Sequence, residues 1–177
     1  MSEVQASDRP VCLVVMGPSG TGKTTTAKGL ATRLGWVFAE ADEFHPKANI
    51  DKMSAGIPLN DEDRAPWLLA IRDWVSGEAA AGRSAVITCS ALKRRYRDVL
   101  RGASARVRFV ELTADEAVIR ERMEKRKGHY MPPSLLASQY ADFEPLNDGE
   151  DGVRVSVEQT PDAVVADALR QLGLDPI

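Results

Sequence analysis

The sequence is poor in the residue types that build disulfide-rich or metal-centred proteins. Of its 177 residues, two are cysteine, two are histidine and 6% are aromatic. Cys12 and Cys89 each lie in an apolar run without CxxC spacing, so we expect buried, reduced thiols, which suit a reducing compartment. His45 and His129 are far apart and have no cysteine at ligand spacing, which argues against a zinc site.

The chain also lacks a long hydrophobic run and an excess of positive charge. The apolar stretch Val11–Met16 is too short for a signal-peptide core or a membrane span. A net charge of −3 argues against a nucleic-acid partner or an anionic membrane partner. We therefore expect a cytoplasmic protein. Its 44% hydrophobic content predicts a single domain over residues 1–177, beginning with a polar tail over 1–10.

Short apolar runs alternate with amphipathic or charged stretches along the chain. The runs of strand length are 11–16, 36–41, 85–89, 107–112 and 153–157. This alternation predicts a three-layer α/β/α fold with a mostly parallel, five-stranded sheet. Thr160 followed by Pro161 predicts the start of the last helix, and the acidic stretch 143–152 is typical of a surface loop.

The first apolar run leads into a phosphate-binding motif. Gly17, Gly22, Lys23 and Thr24 satisfy GxxxxGK[ST], with a predicted strand before the motif and a helix after it. Glycines let backbone N–H groups point at phosphate oxygens, lysine adds a positive charge, and the threonine hydroxyl can bind Mg²⁺. The motif predicts that the loop binds phosphate groups together with Mg²⁺; the alternative is a glycine-rich turn that only connects a strand to a helix. The candidate nucleotide-binding residues of this loop are Gly17, Ser19, Gly20, Thr21, Gly22, Lys23, Thr24 and Thr25.

Two acids at the end of the second strand distinguish between classes of phosphate-loop protein. The sequence has no DxxG or NKxD pattern, which a GTPase switch would need, and the third strand ends in Cys89 and Ser90 rather than in an acid. Glu40 and Asp42 have i, i+2 spacing, so they leave the same face of an extended chain. Asp42 is placed to meet an acceptor hydroxyl, and Glu40 could hold the metal through water. Two solvated loop acids remain the alternative.

The segment after Asp42 has the composition of an acceptor pocket. Its donors and acceptors suit a ligand with several hydroxyls and an anionic group, although each residue taken singly is more often a surface residue. They are His45, Lys47, Asn49, Lys52, Asn60, Asp61, Asp63 and Arg64. Further along, Lys93 and Arg97 stand one helical turn apart and could aim at the same anion, or could belong to a solvated helix face.

A predicted lid completes the candidate site. Arg122 and Arg126 have i, i+4 spacing on a predicted helix that runs into the break "KGHYMPP". Arginines on a mobile element can neutralise a transferring phosphoryl group while closure excludes water. We expect the lid at about 122–135; an exposed basic helix is the alternative.

Four stretches together resemble the bacterial-type gluconate kinases, relatives of shikimate and nucleoside-monophosphate kinases. They are "GPSGTGKT", "ADEFHPKANIDKMSAGIPLNDEDRAPWL", "CSALKRRYRD" and "RKGHYMPPSLLASQ". The resemblance covers about residues 11–145 and implies ATP-dependent phosphorylation of D-gluconate at its 6-hydroxyl by a homodimer with a phosphate-loop kinase fold. Glu40 stands where the family most often has aspartate, and Glu43 where it has an aromatic or aliphatic residue. A kinase for another hydroxylated acid such as shikimate, and a non-catalytic nucleotide-binding regulator, remain as alternatives.

The residue patterns and the resemblance together predict roles for individual residues. We expect Lys23, Asp42 and Arg126 to be catalytic. We expect Arg122 to join the nucleotide-binding residues, and Thr24 and, through water, Glu40 to bind the metal. The substrate-binding residues are Asp42, His45, Lys52, Arg64, Lys93, Arg97 and His129.

Overall fold

A computed structural model describes residues 10–17, 21–90, 93–114, 117–118, 121, 143–147 and 149–174 of the chain. Ser19 and Gly20 of the phosphate loop therefore lie outside the described residues. The same holds for the predicted lid interval with Arg122, Arg126 and His129.

Five strands and five helices of at least eight residues make up the described part of the chain. The strands are β1 (Val11–Met16), β2 (Val37–Glu40), β3 (Ala85–Thr88), β4 (Arg106–Thr113) and β5 (Gly152–Ser156). The helices are α1 (Lys23–Leu34), α2 (Lys47–Ser54), α3 (Asp61–Ala80), α4 (Arg94–Arg101) and α5 (Pro161–Leu172). A short 3-10 helix, Ala41–Phe44, follows β2.

The five strands form one parallel sheet in the order β2-β3-β1-β4-β5. Thr88 of β3 pairs with Val15 of β1 on one side and with Glu40 of β2 on the other. Glu40 is therefore level with the end of β1, where the phosphate loop begins. The register brings the predicted acids to the edge of the sheet from which that loop leaves.

Helices cover both faces of the sheet, because alternate side chains of a strand point to opposite faces. In β1, Cys12, Val14 and Met16 pack in a cluster with residues of α3 and α4. Leu13 and Val15 pack in a second cluster with residues of α1 and α5. The predicted three-layer α/β/α fold with five strands is confirmed.

The two cysteines are free and buried, as the sequence predicts. Burial raises the pKa of Cys12 to about 12 and also raises the pKa of Cys89, so both thiols stay protonated at neutral pH. Thr160 accepts a hydrogen bond from the backbone N–H of Ala163, which confirms the predicted start of α5. Within the described ranges, no helix combines the length and the apolar character that a membrane crossing requires.

Residues 143–147 and 149–151 form a loop, as predicted, but part of that loop is buried rather than at the surface. Leu146 is buried in the cluster beneath α3 and α4, and Glu150 is 8% exposed. Glu111 of β4 accepts a hydrogen bond from the Leu146 backbone N–H. One acid of this segment, Glu150, is therefore a buried ion-pair partner. Composition alone did not distinguish it from the solvated acids.

Candidate active site

The phosphate loop depends on glycine at both of its described ends. A Cβ atom at Gly17, whose φ is 147°, would lie 3.0 Å from Thr21 Oγ1 and 3.1 Å from the Leu112 carbonyl oxygen. Gly22 has a φ of 84°, in the left-handed region that other residues rarely adopt. Gly22 at the N-cap position offers no side-chain cap to the first-turn N–H groups of α1, which suits the binding of an anion at this helix start.

Lys23 begins α1 at the mouth of this loop. Its Nζ donates a hydrogen bond to the Gly17 carbonyl oxygen at 2.9 Å. Burial lowers the pKa of Lys23, while the charges of Asp42 and Glu40 act in the opposite direction. The lysine predicted to hold phosphate and the two acids predicted to serve the reaction therefore interact in one region.

The two predicted metal ligands are in contact. Thr24 Oγ1 donates a hydrogen bond to Glu40 Oε1 at 2.5 Å. Thr25, the next residue of α1, is exposed beside Thr24. Hydroxyl and carboxylate oxygens suit Mg²⁺, which proteins usually bind through one or two side chains together with substrate phosphates. Thr24 and Glu40 therefore have the chemistry to hold this ion. The described residues contain no group of three or more acidic, histidine or cysteine side chains that could hold a metal.

Asp42 lies on the 3-10 helix that follows β2, and its side chain is 79% exposed. Trp67 of α3 anchors this 3-10 helix to the core, because its Nε1 donates a buried hydrogen bond of 2.7 Å to the Ala41 carbonyl oxygen. The sequence analysis did not identify Trp67. Its effect is to present the Asp42 carboxylate to solvent from a backbone that is anchored in the core.

His45 is a buried ring beside this carboxylate. Its side chain is 3% exposed, and its Nε2 lies 4.0 Å from Asp42 Oδ1. The imidazole stacks on Trp67 with ring centres 4.2 Å apart and an interplanar angle of 12°. Burial lowers the pKa of His45, Asp42 opposes that change, and Arg64 adds to it. The imidazole of His45 therefore has a fixed orientation in the core, beside the carboxylate of Asp42, which is the candidate base.

Arg64 of α3 is a buried cation that has no carboxylate partner in the part of the chain that the structure describes. Its residue is 9% exposed, and its Nη1 donates a hydrogen bond of 2.9 Å to Tyr96 Oη. The Tyr96 hydroxyl in turn donates to Asp61 Oδ1 at 2.5 Å. Among the described residues, no carboxylate forms an ion pair with Arg64. Because buried charges are normally paired, this arrangement suits an anionic ligand.

Tyr96 is the centre of a group of cations that the sequence analysis did not recognise. The charged ends of Arg64, Lys93 and Arg95 lie 5.2 Å, 6.0 Å and 5.5 Å from the centre of its ring. Arg95 also forms an ion pair with Asp61 at 2.5 Å. The available signal was an aromatic residue inside the basic run "KRRYR", since cations favour the face of such a ring.

Lys52, predicted to bind substrate, forms an ion pair with Asp63 of α3 at 2.9 Å. Hydrogen bonds from the backbone N–H of Asn60 and from Lys52 hold the pKa of Asp63 below its usual range. Lys52 therefore joins α2 to α3 and remains partly exposed beside the candidate pocket.

The prediction that Arg97 binds substrate together with Lys93 is wrong. Arg97 is 0% exposed, and its Nε and Nη2 donate hydrogen bonds of 2.7 Å and 2.9 Å to the carboxylate of Glu150. Its Nη1 donates to the Glu144 carbonyl oxygen at 2.8 Å. Burial alone would raise the pKa of Glu150, but hydrogen bonds from Arg97, from the Asn147 backbone and from Arg101 bring it down to about 2. Arg97 holds the segment around residue 150 to α4 and has no guanidinium edge left for a ligand.

Comparison with known proteins gives consistent results. A family profile described as an AAA domain matches residues 12–146. The chain is 52% identical to a gluconokinase of Gluconobacter oxydans over 168 residues, covering 95% of this chain and 94% of the relative. It is 40% identical to the thermoresistant gluconokinase of Escherichia coli over 157 residues, covering 88% and 90%.

Solved structures extend the comparison to the fold. A gluconokinase of Sinorhizobium meliloti has 44% identity and a TM-score of 0.85, covering 93% of this chain and 92% of that one. A shikimate kinase of Aquifex aeolicus has 16% identity and a TM-score of 0.58, covering 92% and 96%, and shows the fold alone.

The parallel sheet, the glycine-bounded loop and Lys23 at the start of α1 place the chain in the class of phosphate-loop proteins. Within this class, the sequence identity to gluconokinases extends over almost the whole chain. The chain belongs to the gluconokinase family.

Proposed function

We propose that this kinase transfers the γ-phosphoryl group of ATP to the 6-hydroxyl of D-gluconate, giving 6-phospho-D-gluconate and ADP. The observation that supports an acid as acceptor is the buried guanidinium of Arg64, which has a tyrosine hydroxyl but no described carboxylate as its partner. Arg64 is close enough to His45 to influence its pKa, and His45 is beside Asp42. A sugar acid could therefore place its carboxylate at Arg64 and a hydroxyl at Asp42. The gluconokinases among its relatives point to the same acceptor.

At the nucleotide end, the N–H groups of the loop and the charge of Lys23 would hold the phosphates of ATP. Thr24 and, through water, Glu40 would hold Mg²⁺, which when bound neutralises charge on the phosphates. We also propose that Ser19 and Gly20 complete the loop and that Arg122, Arg126 and His129 act from a lid at about 122–135. A cytoplasmic homodimer without nucleic-acid or membrane partners remains part of the proposal.

At the acceptor end, Asp42 is the proposed base. Its exposed carboxylate lies at the edge of the sheet from which the phosphate loop leaves, and its charge acts to raise the pKa of Lys23. It would orient the 6-hydroxyl in line with the γ-phosphate and accept the proton as the new O–P bond forms. General-base catalysis of this kind typically contributes about 10²- to 10⁴-fold to the rate.

The test is a phosphorylation assay with purified protein, ATP, Mg²⁺ and a panel of acceptors that includes D-gluconate, other sugar acids and shikimate. We expect gluconate to be the best acceptor, measured as 6-phosphogluconate formed. Asp42→Asn is the matched control, because it keeps the size of the side chain and loses the ability to take a proton; it should bind ATP normally and turn over at least about 10²-fold more slowly. Preferential phosphorylation of shikimate, or ATP binding without transfer to any acceptor, would overturn the proposal.

A further inference from the structure

The amide of Asn49 has a defined orientation in the core of the acceptor side. Asn49 is 2% exposed, and its Nδ2 lies 2.8 Å from the Asp63 carbonyl oxygen. A carbonyl oxygen can only accept a hydrogen bond, so the atom that faces it must be the amide nitrogen. The usual ambiguity between the amide nitrogen and oxygen is therefore resolved by the backbone of α3.

The same amide nitrogen determines which nitrogen of His45 carries a proton. Asn49 Nδ2 lies 3.1 Å from His45 Nδ1. An amide NH₂ group has two hydrogens to donate and no lone pair to offer, so Nδ1 must accept and is unprotonated. In a neutral imidazole the proton then lies on Nε2, the nitrogen that is 4.0 Å from Asp42 Oδ1.

Two further contacts hold this arrangement. Stacking on Trp67 fixes the plane of the imidazole, so the ring has one orientation relative to Asp42. Protonation of Nδ1 would direct an N–H group at the N–H group of Asn49. Burial and the nearby positive charge of Arg64 also disfavour the doubly protonated ring, and the negative charge of Asp42 only partly offsets them.

We infer that Asn49 is a positioning residue that keeps His45 in its Nε2–H form, so that His45 presents an N–H group to Asp42 and the acceptor and does not accept a proton. The role towards the acceptor rests on the function proposed above. Both nitrogens of His45 are then unavailable as a base, because Nδ1 is occupied by Asn49 and Nε2 already carries hydrogen. The proton of the acceptor hydroxyl goes to Asp42, which His45 helps to orient.

The direct test is ¹⁵N NMR of the imidazole nitrogens in the full-length protein without ligands at neutral pH. The chain has two histidines, so His45→Gln assigns the signals by removing one set. We expect His45 to show a protonated Nε2 and an unprotonated Nδ1. A protonated Nδ1, or a ring protonated at both nitrogens, would overturn the inference. Since this measurement needs no substrate, an Nε2–H ring in a protein that fails to phosphorylate gluconate would refute only the proposed function.

A matched pair of substitutions tests the donor role during turnover. The side-chain nitrogen of glutamine can reach the position of Nε2, whereas that of asparagine reaches only the position of Nδ1, and neither amide can act as a base. We expect His45→Gln to keep a kcat several-fold to about 10-fold higher than His45→Asn, the range of one hydrogen bond, with the same KM for ATP. Equal kcat values, or a higher kcat for His45→Asn, would contradict the inference; thermal melting checks that both variants are folded.

Asn49→Leu examines the positioning residue itself. Leucine has a similar size and removes the amide, so the His45 ring loses its bias towards Nε2–H. We expect its NMR signals to move towards a mixture of the two neutral forms and kcat to fall, while the KM for ATP stays unchanged. If the signals of His45 in the folded variant are those of the wild type, Asn49 does not select the form of the ring.

Discussion

Two arginines are buried, Arg64 of α3 and Arg97 of α4, and their side chains have different kinds of partner. Arg97 is 0% exposed and shares its guanidinium with the Glu150 carboxylate and backbone carbonyl groups. Arg64 is 9% exposed and donates to the hydroxyl of Tyr96, with no ion-pair partner among the described residues. The first arginine connects parts of the fold, whereas the second keeps its charge available for a ligand.

The two regions meet on one helix. Tyr96, which holds Arg64, and Arg97 are adjacent residues of α4. The ring face and the hydroxyl of Tyr96 offset part of the free-energy cost of burying the Arg64 charge. An anionic acceptor bound at Arg64 would offset the rest. Burial of an arginine therefore does not indicate its role; the type of partner does.

The largest effect is expected when the paired arginine is removed. Arg97→Met leaves the buried Glu150 without its main partner, and breaking a buried ion pair in this way typically costs about 3–5 kcal/mol. Chemical denaturation should show a loss of that size in the free energy of unfolding. A loss below about 1 kcal/mol, the range of an exposed pair, would remove the distinction between the two arginines.

Acid should weaken the same pair in the wild-type protein. The pKa of Glu150 is about 2 in the folded chain, below its ordinary value of 4.5. A carboxylate with a depressed pKa contributes stability that is present above the ordinary value and is lost as the pH falls towards the folded one. We expect the free energy of unfolding to fall between about pH 4.5 and pH 2 more steeply in the wild type than in Glu150→Gln; equal slopes would show that Glu150 is not the group responsible.

Removing Arg64, which has no described ion-pair partner, should affect binding and leave the fold largely intact. A hydrogen bond to a charged group contributes about 1.5–3 kcal/mol, so Arg64→Met should raise the KM for gluconate by about 10- to 100-fold. The KM for ATP should not change. The free energy of unfolding should fall by no more than about 1.5 kcal/mol, because one hydrogen bond to Tyr96 is lost and no described ion pair is broken. Loss of stability comparable to that of Arg97→Met would show that Arg64 is also structural.

The smallest effect should come from the hydroxyl that holds Arg64. Tyr96→Phe keeps the ring beneath the cations and removes the hydrogen bonds to Arg64 and Asp61. One hydrogen bond contributes about 0.5–1.5 kcal/mol, so the KM for gluconate should rise from about 2-fold to about 10-fold, with kcat changed less. Steady-state kinetics on both substrates would show whether the effect is instead on ATP.

The sheet was predictable because the buried strands β1 and β3 are almost wholly apolar. β1 coincides with its predicted bounds, and β2 is one residue shorter at each end than the predicted 36–41. The phosphate loop could also be predicted from the sequence, because Gly17, Lys23 and Thr24 belong to a local motif whose geometry depends on the backbone. The acid Glu40 could be assigned to the loop side of the sheet because strand ends meet at one edge.

The acceptor side was harder to predict because its contacts join distant parts of the chain. Arg97 and Glu150 are 53 residues apart, and helical periodicity does not reveal which arginine of "KRRYR" faces inward. Trp67 and Tyr96 were overlooked for the same reason, because their partners Ala41 and Arg64 belong to other elements. The composition of the segment suggested a pocket for an acid, whereas the three-dimensional partners distinguish its binding residues from its supports.

The most direct test of the account compares gluconate with its uncharged amide, gluconamide, as acceptors for the wild type and for Arg64→Met. The account predicts that the wild type prefers gluconate by about 10- to 100-fold in kcat/KM, the range of a charge-assisted hydrogen bond. It also predicts that the two acceptors become nearly equal in the variant, because the group that reads the carboxylate is gone. An undiminished preference for gluconate in Arg64→Met would contradict the assignment of Arg64 as the acid-binding residue.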